Sequence, residues 1–299
     1  MRVSSHQYHL NTIRTIQQNT EEYSKTSIQL ATNRRILKPS DDPLGAVMLL
    51  TLDSELTTLK QYTNNMSAVN YNLGQQETHL NSIVNLLGSM QELATTAAND
   101  SNSAYELEAF GQEMEVLFQG IVDALNAKDG TGRYYFSGSE IDVVPFQFDA
   151  VTNTFSYEGD EQVRQVAVSD TSSVASNILG SNLAPNNAEF LNEMRAYLDF
   201  LATSPDTAGD ESRAAIDSIG SFLGNVAQEI TRIGGITASL DELETGNTEI
   251  SLFTENLRDD IRNVDYPTAY VHLNETLAAY ESSLRVYASV TKLSLFSYI

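Results

Sequence analysis

Leu59–Met90, LKQYTNNMSAVNYNLGQQETHLNSIVNLLGSM, is the stretch whose reading decides the fold. Alternate steps of three and four residues pick out Leu59, Tyr62, Met66, Val69, Leu73, Gln76, Leu80, Ile83, Leu87 and Met90, and Gln76 alone breaks the apolar series. A period of 3.5 residues keeps one stripe facing one neighbour along a whole helix, because a slight supercoil corrects the drift of a 3.6-residue turn. The stretch therefore requires partner helices, and at 1.5 Å per residue it makes a rod of roughly 48 Å. Its other faces carry Asn, Thr, Ser and Gln rather than dense Glu and Lys, so neighbouring surfaces can approach without shedding many charges. The pattern predicts a rod that packs sideways; a long helix in an ordinary soluble bundle is the plainer alternative.

Toward the N-terminus, Ile16, Tyr23, Leu30 and Leu37 recur every seven residues, with Ile13 at the intermediate position but Thr20 and Ser27 at the next two. This is a thin helical stripe with a half-polar seam. It meets KPSDDPLGA at 38–46, where Pro39 is expected to end the helix. Ser40 is a good N-cap, Asp41 and Asp42 complement the dipole of a new first turn, and that turn tolerates Pro43. Beyond Met90, ATTAANDSNSAYE reads as a short polar connection into a second series, Leu107, Phe110, Met114, Leu117, Ile121 and Ala124. An antiparallel helical hairpin is the economical reading.

The composition changes at Gly132. From RYYFSG through VVPFQFDAVTNTFSYEGDEQVRQVAV the chain is rich in β-branched and aromatic residues, with turn signals at Asn153, Gly159 and Asp160. Helical periodicity returns at AEFLNEMRAYLDFL (188–201), and a further series runs through Ile216, Ile219, Leu223, Val226, Ile230 and Ile233. At Gly234–Gly235 the phase slips by three residues before Ile236, Leu240, Leu243, Ile250, Leu257, Ile261 and Val264, a seam broken by Asn247 and Thr254. Such a slip predicts a local stammer in the supercoil. Pro267 interrupts next; Asp265 or Tyr266 is expected to cap a last helix carrying Tyr270, Leu273, Leu277, Tyr280, Leu284 and Tyr287.

The fold class read from this is mainly α: a long antiparallel coiled-coil or helical-bundle rod built from both halves of the chain, with a small β-rich insert. Residues 1–40 with 266–299 form the terminal helices, 41–130 with 187–265 the helical rod, and 131–186 the insert. The stripes of the two ends, Ile13, Ile16, Tyr23 and Leu30 with Tyr270, Leu273, Leu277, Tyr280, Leu284 and Tyr287, are the candidate assembly interface. Single stripes bury too little to hold thirty-residue helices alone, so the ends are expected to gain order when copies stack.

Charge narrows the partners. The formal net charge of −23 opposes binding to nucleic acid and to anionic membranes. It is uneven: six Lys and Arg against Glu21 and Glu22 give +4 over 1–40, residues 266–299 sum to zero, and 41–265 therefore hold −27. There are no cysteines, hence neither disulfides nor thiolate metal sites. The first residues lack the apolar core of a cleavable signal peptide, and no run of eighteen apolar residues could span a bilayer.

Little in the chain points to chemistry. His6, His9, His79 and His272 are scattered; His6 and His9 share a helical face but lack a third ligand nearby. Asp41–Asp42 beside a proline reads as capping rather than as an acid–base pair. No P-loop, G-x-S-x-G, H-E-x-x-H or G-x-G-x-x-G occurs. Asn99-Asp100-Ser101 and Asn274-Glu275-Thr276 fit the glycosylation acceptor pattern, one of chance frequency, and the tyrosines at 270, 280 and 287 read as packing rather than a ligand box. Neither an enzyme nor a cofactor is expected.

Three segments carry a resemblance. LATNRRILKPSDDPLGAV (30–47) resembles the flagellin-type signature, and its proline after the two aspartates resembles the hook–filament junction branch of that family. ESSLRVYASVTKLSLFSYI (281–299) and GRYYFSGSEIDVVPF (132–146) resemble the same branch, and the likeness covers 1–60, 130–146 and 250–299. The resemblance implies a structural subunit exported unfolded by the flagellar type III route, without a cleaved signal peptide, and located outside the cell in the flagellum. It implies a ring of copies between hook-associated protein 1 and the first flagellin turn, with the terminal helices inside and the insert outward. A cytosolic export chaperone is expected on the C-terminal segment, here Tyr270 to Tyr287. The alternatives are a flagellin, and a secreted adhesin or tip-like binding module whose insert holds a ligand.

Overall fold

The structure is a computed structural model that describes the backbone of residues 2–296 except 204 and 206, and side chains from 7 to 289. Two compact units result: residues 59–247, and the segments 1–58 and 248–299 together.

The first of these is organised by α2 (Pro43–Ala97), one unbroken helix of 55 residues. From Met66 onward every seam position is buried, through Val69, Leu73, Gln76, Leu80, Ile83, Leu87 and Met90, and the stripe continues at Ala94 and Ala97. Leu59 and Tyr62 are half-buried. Gln76, the one polar member, is wholly enclosed; its Oε1 accepts from Ile178 N at 2.8 Å and its Nε2 donates to Asn72 O at 3.2 Å. The break in the apolar series is thus the place where a loop backbone reaches the rod, and a leucine there would leave Ile178 N–H without a partner.

α2 runs on through ATTAA, so the polar connection is shorter than the sequence predicts. The next helix, α3 (Ala104–Leu125), opens on a capping box: Ser103 Oγ accepts from Glu106 N at 3.3 Å, and Glu106 Oε2 accepts from Ser103 N at 2.8 Å. It buries Leu107, Gly111, Met114, Phe118, Ile121, Val122 and Leu125, whereas the expected Phe110, Leu117 and Ala124 are only half-buried. The stripe is turned because α3 has two neighbours. A Cβ on Gly120 would lie 3.2 Å from Leu86 Cδ1 of α2, and one on Gly111 would lie 3.0 Å from Leu201 Cβ. A helix wedged on two sides buries a broader face than a coiled-coil seam.

Between α3 and the helix bearing Leu201 lies the insert, with less sheet than its composition predicts. β1 (Phe146–Asp149) pairs antiparallel with β2 (Thr154–Tyr157), Phe146 opposite Tyr157, around Asn153 at φ 58°. β3 (Gln165–Ala167) pairs likewise with β4 (Ser173–Ala175). The rest is tied by side chains. Asp160 Oδ1 accepts from Ser139 N at 2.7 Å and Gln162 N at 3.1 Å, closing the FSGSE loop over itself. Tyr157 reaches Phe136 O and Asp160 O from a site where burial pushes its phenol up to about 12, so it acts as a pin.

A single turn, α4 (Gly180–Leu183), leads to α5 (Pro185–Ala202). Asn186, Asn187 and Ala188 are all left-handed, so the regular helix starts after them. The first two put their amides to work: Asn187 Oδ1 accepts from Tyr157 N at 3.0 Å and Asn186 Nδ2 donates to Glu189 at 2.6 Å. Asn192 brackets the same strand, accepting from Phe155 N at 2.6 Å and donating to Phe155 O at 3.0 Å. Across the hairpin, Asn126 does the same for Phe146, at 2.9 Å each way.

α6 (Gly209–Arg262) overturns the expected stammer. Its buried positions, Ser212, Ile219, Val226, Ile233, Leu240, Asn247 and Thr254, recur every seven residues straight through Gly234–Gly235. Between them sit Ala215, Phe222 and Glu229, not Ile216, Leu223 and Ile230, which are only half-buried. The slip came from following the larger aliphatic side chains one position off the seam. Asn247, which looked like a break, donates to Leu59 O at 2.9 Å and Thr63 Oγ1 at 2.6 Å. Glu229 accepts from Asn182 at 3.1 Å and pairs with Arg232 at 3.1 Å, charges together but without an aligned hydrogen bond.

Candidate assembly interface

The second unit contains α1 (Arg2–Thr32), the first turns of α2, the last turns of α6 and α7 (Tyr266–Phe296). α1 and α7 lie antiparallel. Tyr266 OH donates to Leu30 O at 2.9 Å; Glu22 lies 3.7 Å from His272; Asn19 Nδ2 donates to Ala279 O at 3.3 Å and Ser283 Oγ at 2.8 Å; and the His9 and Tyr287 rings stand 5.1 Å apart. Polar contacts therefore stitch this pair from end to end, as the half-polar stripe of α1 requires.

Of the ten stripe residues, Ile13, Ile16, Tyr23 and Leu30 on α1 and Leu273, Leu277, Tyr280 and Tyr287 on α7 are half-buried. Tyr270 and Leu284 are turned outward, 62% and 40% exposed. Among the described side chains of these two helices only Thr26 and Ala269 are buried, both small. Sequence reading missed Asn19, Thr26 and Ala269 because a search for large apolar residues passes over them.

Between α1 and α2 the chain turns sharply. α1 ends at Thr32, seven residues before Pro39, with Asn33 left-handed at φ 52°, a common helix stop. Arg35 then clasps the far end of α6: its N–H donates to Arg262 O at 2.8 Å, its Nε to Ile261 O at 3.2 Å, and its Nη2 reaches Asp42 Oδ2 at 3.0 Å. Helix ends leave carbonyls without intrahelical donors, and here Arg35 supplies them for α6 while Tyr266 does so for α1. The basic pair of the signature could have been read this way, since a cation beside a helix C-terminus satisfies both charge and hydrogen bonding.

Ser40 does not cap α2. Asp42 does, its Oδ1 accepting from Gly45 N at 2.9 Å with Pro43 in the first helical position. Asp41 instead folds the turn, accepting from Leu37 N at 3.2 Å and Lys38 N at 3.0 Å and pairing with Lys25 at 3.2 Å. The backbone N–H of Lys38 pulls the Asp41 carboxyl below its ordinary range, and that of Gly45 does the same for Asp42. A Cβ on Gly45 would come within 2.7 Å of Ile36 Cδ1 and 2.6 Å of Asp42 Oδ2, so a larger residue there would require those side chains to shift. α7 opens as expected, with Asp265 O accepting from Ala269 N at 2.9 Å.

The residues weighed for chemistry have structural partners. Asp41 and Asp42 are occupied as described; His79 packs against Tyr135, and burial lowers its basicity. The side chain of His6 and the tail 297–299 lie outside the described residues. Tyr270, Tyr280 and Tyr287 lie along one helix and form no common box among the described contacts. No group of three His, Asp or Glu is placed to hold a metal among the described residues, and no described helix is long and apolar enough to cross a membrane. Beside the insert, a cleft of about 600 Å³ is lined by Tyr157, Ser181, Asn182 and Asn187.

Exposed apolar side chains are distributed unequally. The long-rod unit shows a few, such as Tyr105, Val116 and Val151. The terminal unit shows most of them, including Tyr8, Leu44, Val47, Leu50, Phe253 and Val271, and buries almost no large apolar residue besides Leu52.

Comparison with known proteins agrees in length and in architecture. Residues 3–141 match the bacterial flagellin N-terminal helical region. Flagellar hook-associated protein 3 of Escherichia coli strain K12 is 22% identical over 313 residues, covering 99% of each chain, and that of Salmonella typhimurium strain LT2 is 22% identical over 317 residues with the same coverage. A solved Vibrio parahaemolyticus structure assigned to a flagellar hook-associated protein superposes with a TM-score of 0.70 at 27% identity, covering 75% of this chain and all of that one. A helical rod with a small β insert, a flagellin-type match over residues 3–141 and end-to-end likeness to those relatives make the chain similar in sequence and fold to flagellar hook-associated protein 3.

Proposed function

We propose that this chain is the structural subunit of the junction between hook and filament in a bacterial flagellum. The observation that carries the reading is the terminal unit, whose helices pair through polar stitches while about half of its large apolar side chains are exposed and the rest, Leu52 apart, are only half-buried. Exposed apolar side chains in such number favour contact with other chains. Copies form a ring, with α1 and α7 supplying the contact through the stripes from Ile13 to Leu30 and from Tyr270 to Tyr287. Hook-associated protein 1 lies on one side and flagellin on the other. Residues 1–40 and 266–299 act as the inner assembly domain, 41–130 and 187–265 as the surrounding rod, and 131–186 as the outward insert. The work is mechanical, without a catalytic step or cofactor. Export proceeds without a cleaved signal peptide, a cytosolic chaperone holding the C-terminal helix until then, and the terminal helices gain their full order on stacking.

Deleting the coding region tests the reading directly: hooks are expected to remain while filaments are shed to the medium. Filaments still anchored to hooks would overturn it. Seeded mixing separates the flagellin alternative, since a flagellin elongates seeds into long filaments and a junction subunit stops at a short layer. Removing 131–186 separates the adhesin alternative, which predicts lost surface binding with normal motility.

A further inference from the structure

We propose that Arg133, Ser137, Arg164 and Asn177, four side chains of the insert, form a binding site for a small inorganic oxyanion of the phosphate class. The inference stands apart from the junction reading, because none of these residues belongs to the helical stripes or to the terminal unit. Ser137 and Asn177 are wholly enclosed, yet Ser137 Oγ and Asn177 Nδ2 have no protein partner among the described residues, and neither does the buried Arg164 Nε. Enclosed donors are unfavourable unless something accepts from them.

The backbone brings these groups into one neighbourhood. Asn177 Oδ1 accepts from Arg164 N at 2.7 Å and Ser176 N donates to Arg164 O at 2.9 Å, which fixes Asn177 beside Arg164. Ser137 forms a bridge with Leu179, just beyond Asn177, and its carbonyl accepts from Asp160 N at 3.2 Å. Burial weakens the hold of Arg164 on its proton, and the nearby charge of the exposed Arg133 adds to that. Asp129 and Asp160 act the other way, but neither forms an ion pair with these arginines among the described residues. Both carboxylates are engaged elsewhere: Asp129 Oδ1 accepts from Thr131 N at 2.7 Å and Arg133 N at 3.0 Å, and Asp160 Oδ1 from Ser139 N and Gln162 N. What is left over is a set of donors. A guanidinium and an amide nitrogen only donate, and a hydroxyl can turn to do so. A tetrahedral oxyanion presents acceptor oxygens to donors arriving from separate chain segments and takes charge-assisted hydrogen bonds from arginine, whereas a cation or an apolar ligand satisfies none of them.

The test is a titration of the isotope-labelled full chain with inorganic phosphate, followed by nuclear magnetic resonance at constant ionic strength with chloride as the balancing salt. Saturable shifts of the Asn177 side-chain amide and of the Arg164 Nε–H are expected with phosphate and not with chloride alone, and sulfate should compete. Arg164→Met, which keeps the apolar stem and removes the guanidinium, is expected to weaken binding roughly tenfold. If that variant does not fold, Arg133→Gln on the exposed side serves instead, with an expected loss of roughly threefold. Shifts that grow without saturating would mean an adventitious ion only and would overturn the site. Undiminished binding in whichever variant folds would overturn it as well, and so would the absence of any shift at Asn177 and Arg164, which would leave water to satisfy the enclosed donors.

Discussion

The unit at 59–247 and the unit made of the two chain ends use the same helical material to opposite effect. In the first, α2, α3, α5 and α6 close over a continuous core from Met66 to Leu240, and even the polar seam members Gln76 and Asn247 find partners there. In the second, long helices run side by side but bury little beyond Thr26, Leu52, Thr254 and Ala269, and their apolar side chains are half-buried or exposed. One region is closed over its apolar side chains and the other leaves many of its own in contact with water. The difference lies in how many helices surround each stripe and in the half-polar seam of α1.

The comparison can be broken most forcefully in the core. Phe118, wholly buried and edge-on to Phe155 at 5.6 Å, is expected to cost about 3–5 kcal/mol when replaced by alanine, read as a fall in unfolding midpoint. Tyr270→Ala should shift that midpoint by less than about 0.5 kcal/mol and act on assembly instead. Equal destabilisation by the two would erase the distinction. Gln76→Leu is expected to cost about 1–3 kcal/mol by stranding Ile178 N–H, with amide exchange at Ile178 as the readout. Unchanged protection there would mean that the loop is held by something else.

Smaller effects sharpen the picture at the turn between α1 and α2. Arg35→Ala should cost about 1 kcal/mol, because half the side chain is in water and its charge is screened, and should raise exchange along 33–38. The turn also responds to acid. Asp41 and Asp42 are held below their ordinary carboxylate range in the folded chain, so their contribution is complete above about pH 3.9 and is lost as pH falls through their lowered values. Protection of the Leu37, Lys38 and Gly45 amides should fall in that acid window; loss beginning above pH 5 would point to other groups. The smallest effect has the opposite sign. Gly234→Ala, with nothing within 4 Å of its Cβ, is expected to stabilise α6 by about 0.5–1 kcal/mol, and destabilisation would revive the stammer.

How much of this was legible depends on whether the decisive contact is local. The seam from Leu59 to Met90 could be read because each burial follows from helical spacing alone, and the one irregularity, Gln76, sat where another segment docks. On α6 the same method lost the phase. Ile230 looks buried and Glu229 looks solvated, but Asn182 from outside the helix and Arg232 one turn along it give Glu229 its partners. The insert was legible as a composition and not as a structure, since its first hairpin depends on Asn126, Asn187 and Asn192, whose spacing along the chain carries no pattern. At the ends, the stripes were visible, as was the scarcity of anything to cover them. Arg35 was counted only as a charge, because its task depends on carbonyls more than two hundred residues away.

Those asparagine amides have a consequence for crowding. A two-stranded ribbon normally offers its outer rims as templates for further strands. Here side chains from flanking helical segments occupy backbone groups on both rims, at Phe146 on one and at Phe155 and Tyr157 on the other. Any two copies brought edge to edge would thereby be denied an easy route to zip together through this ribbon.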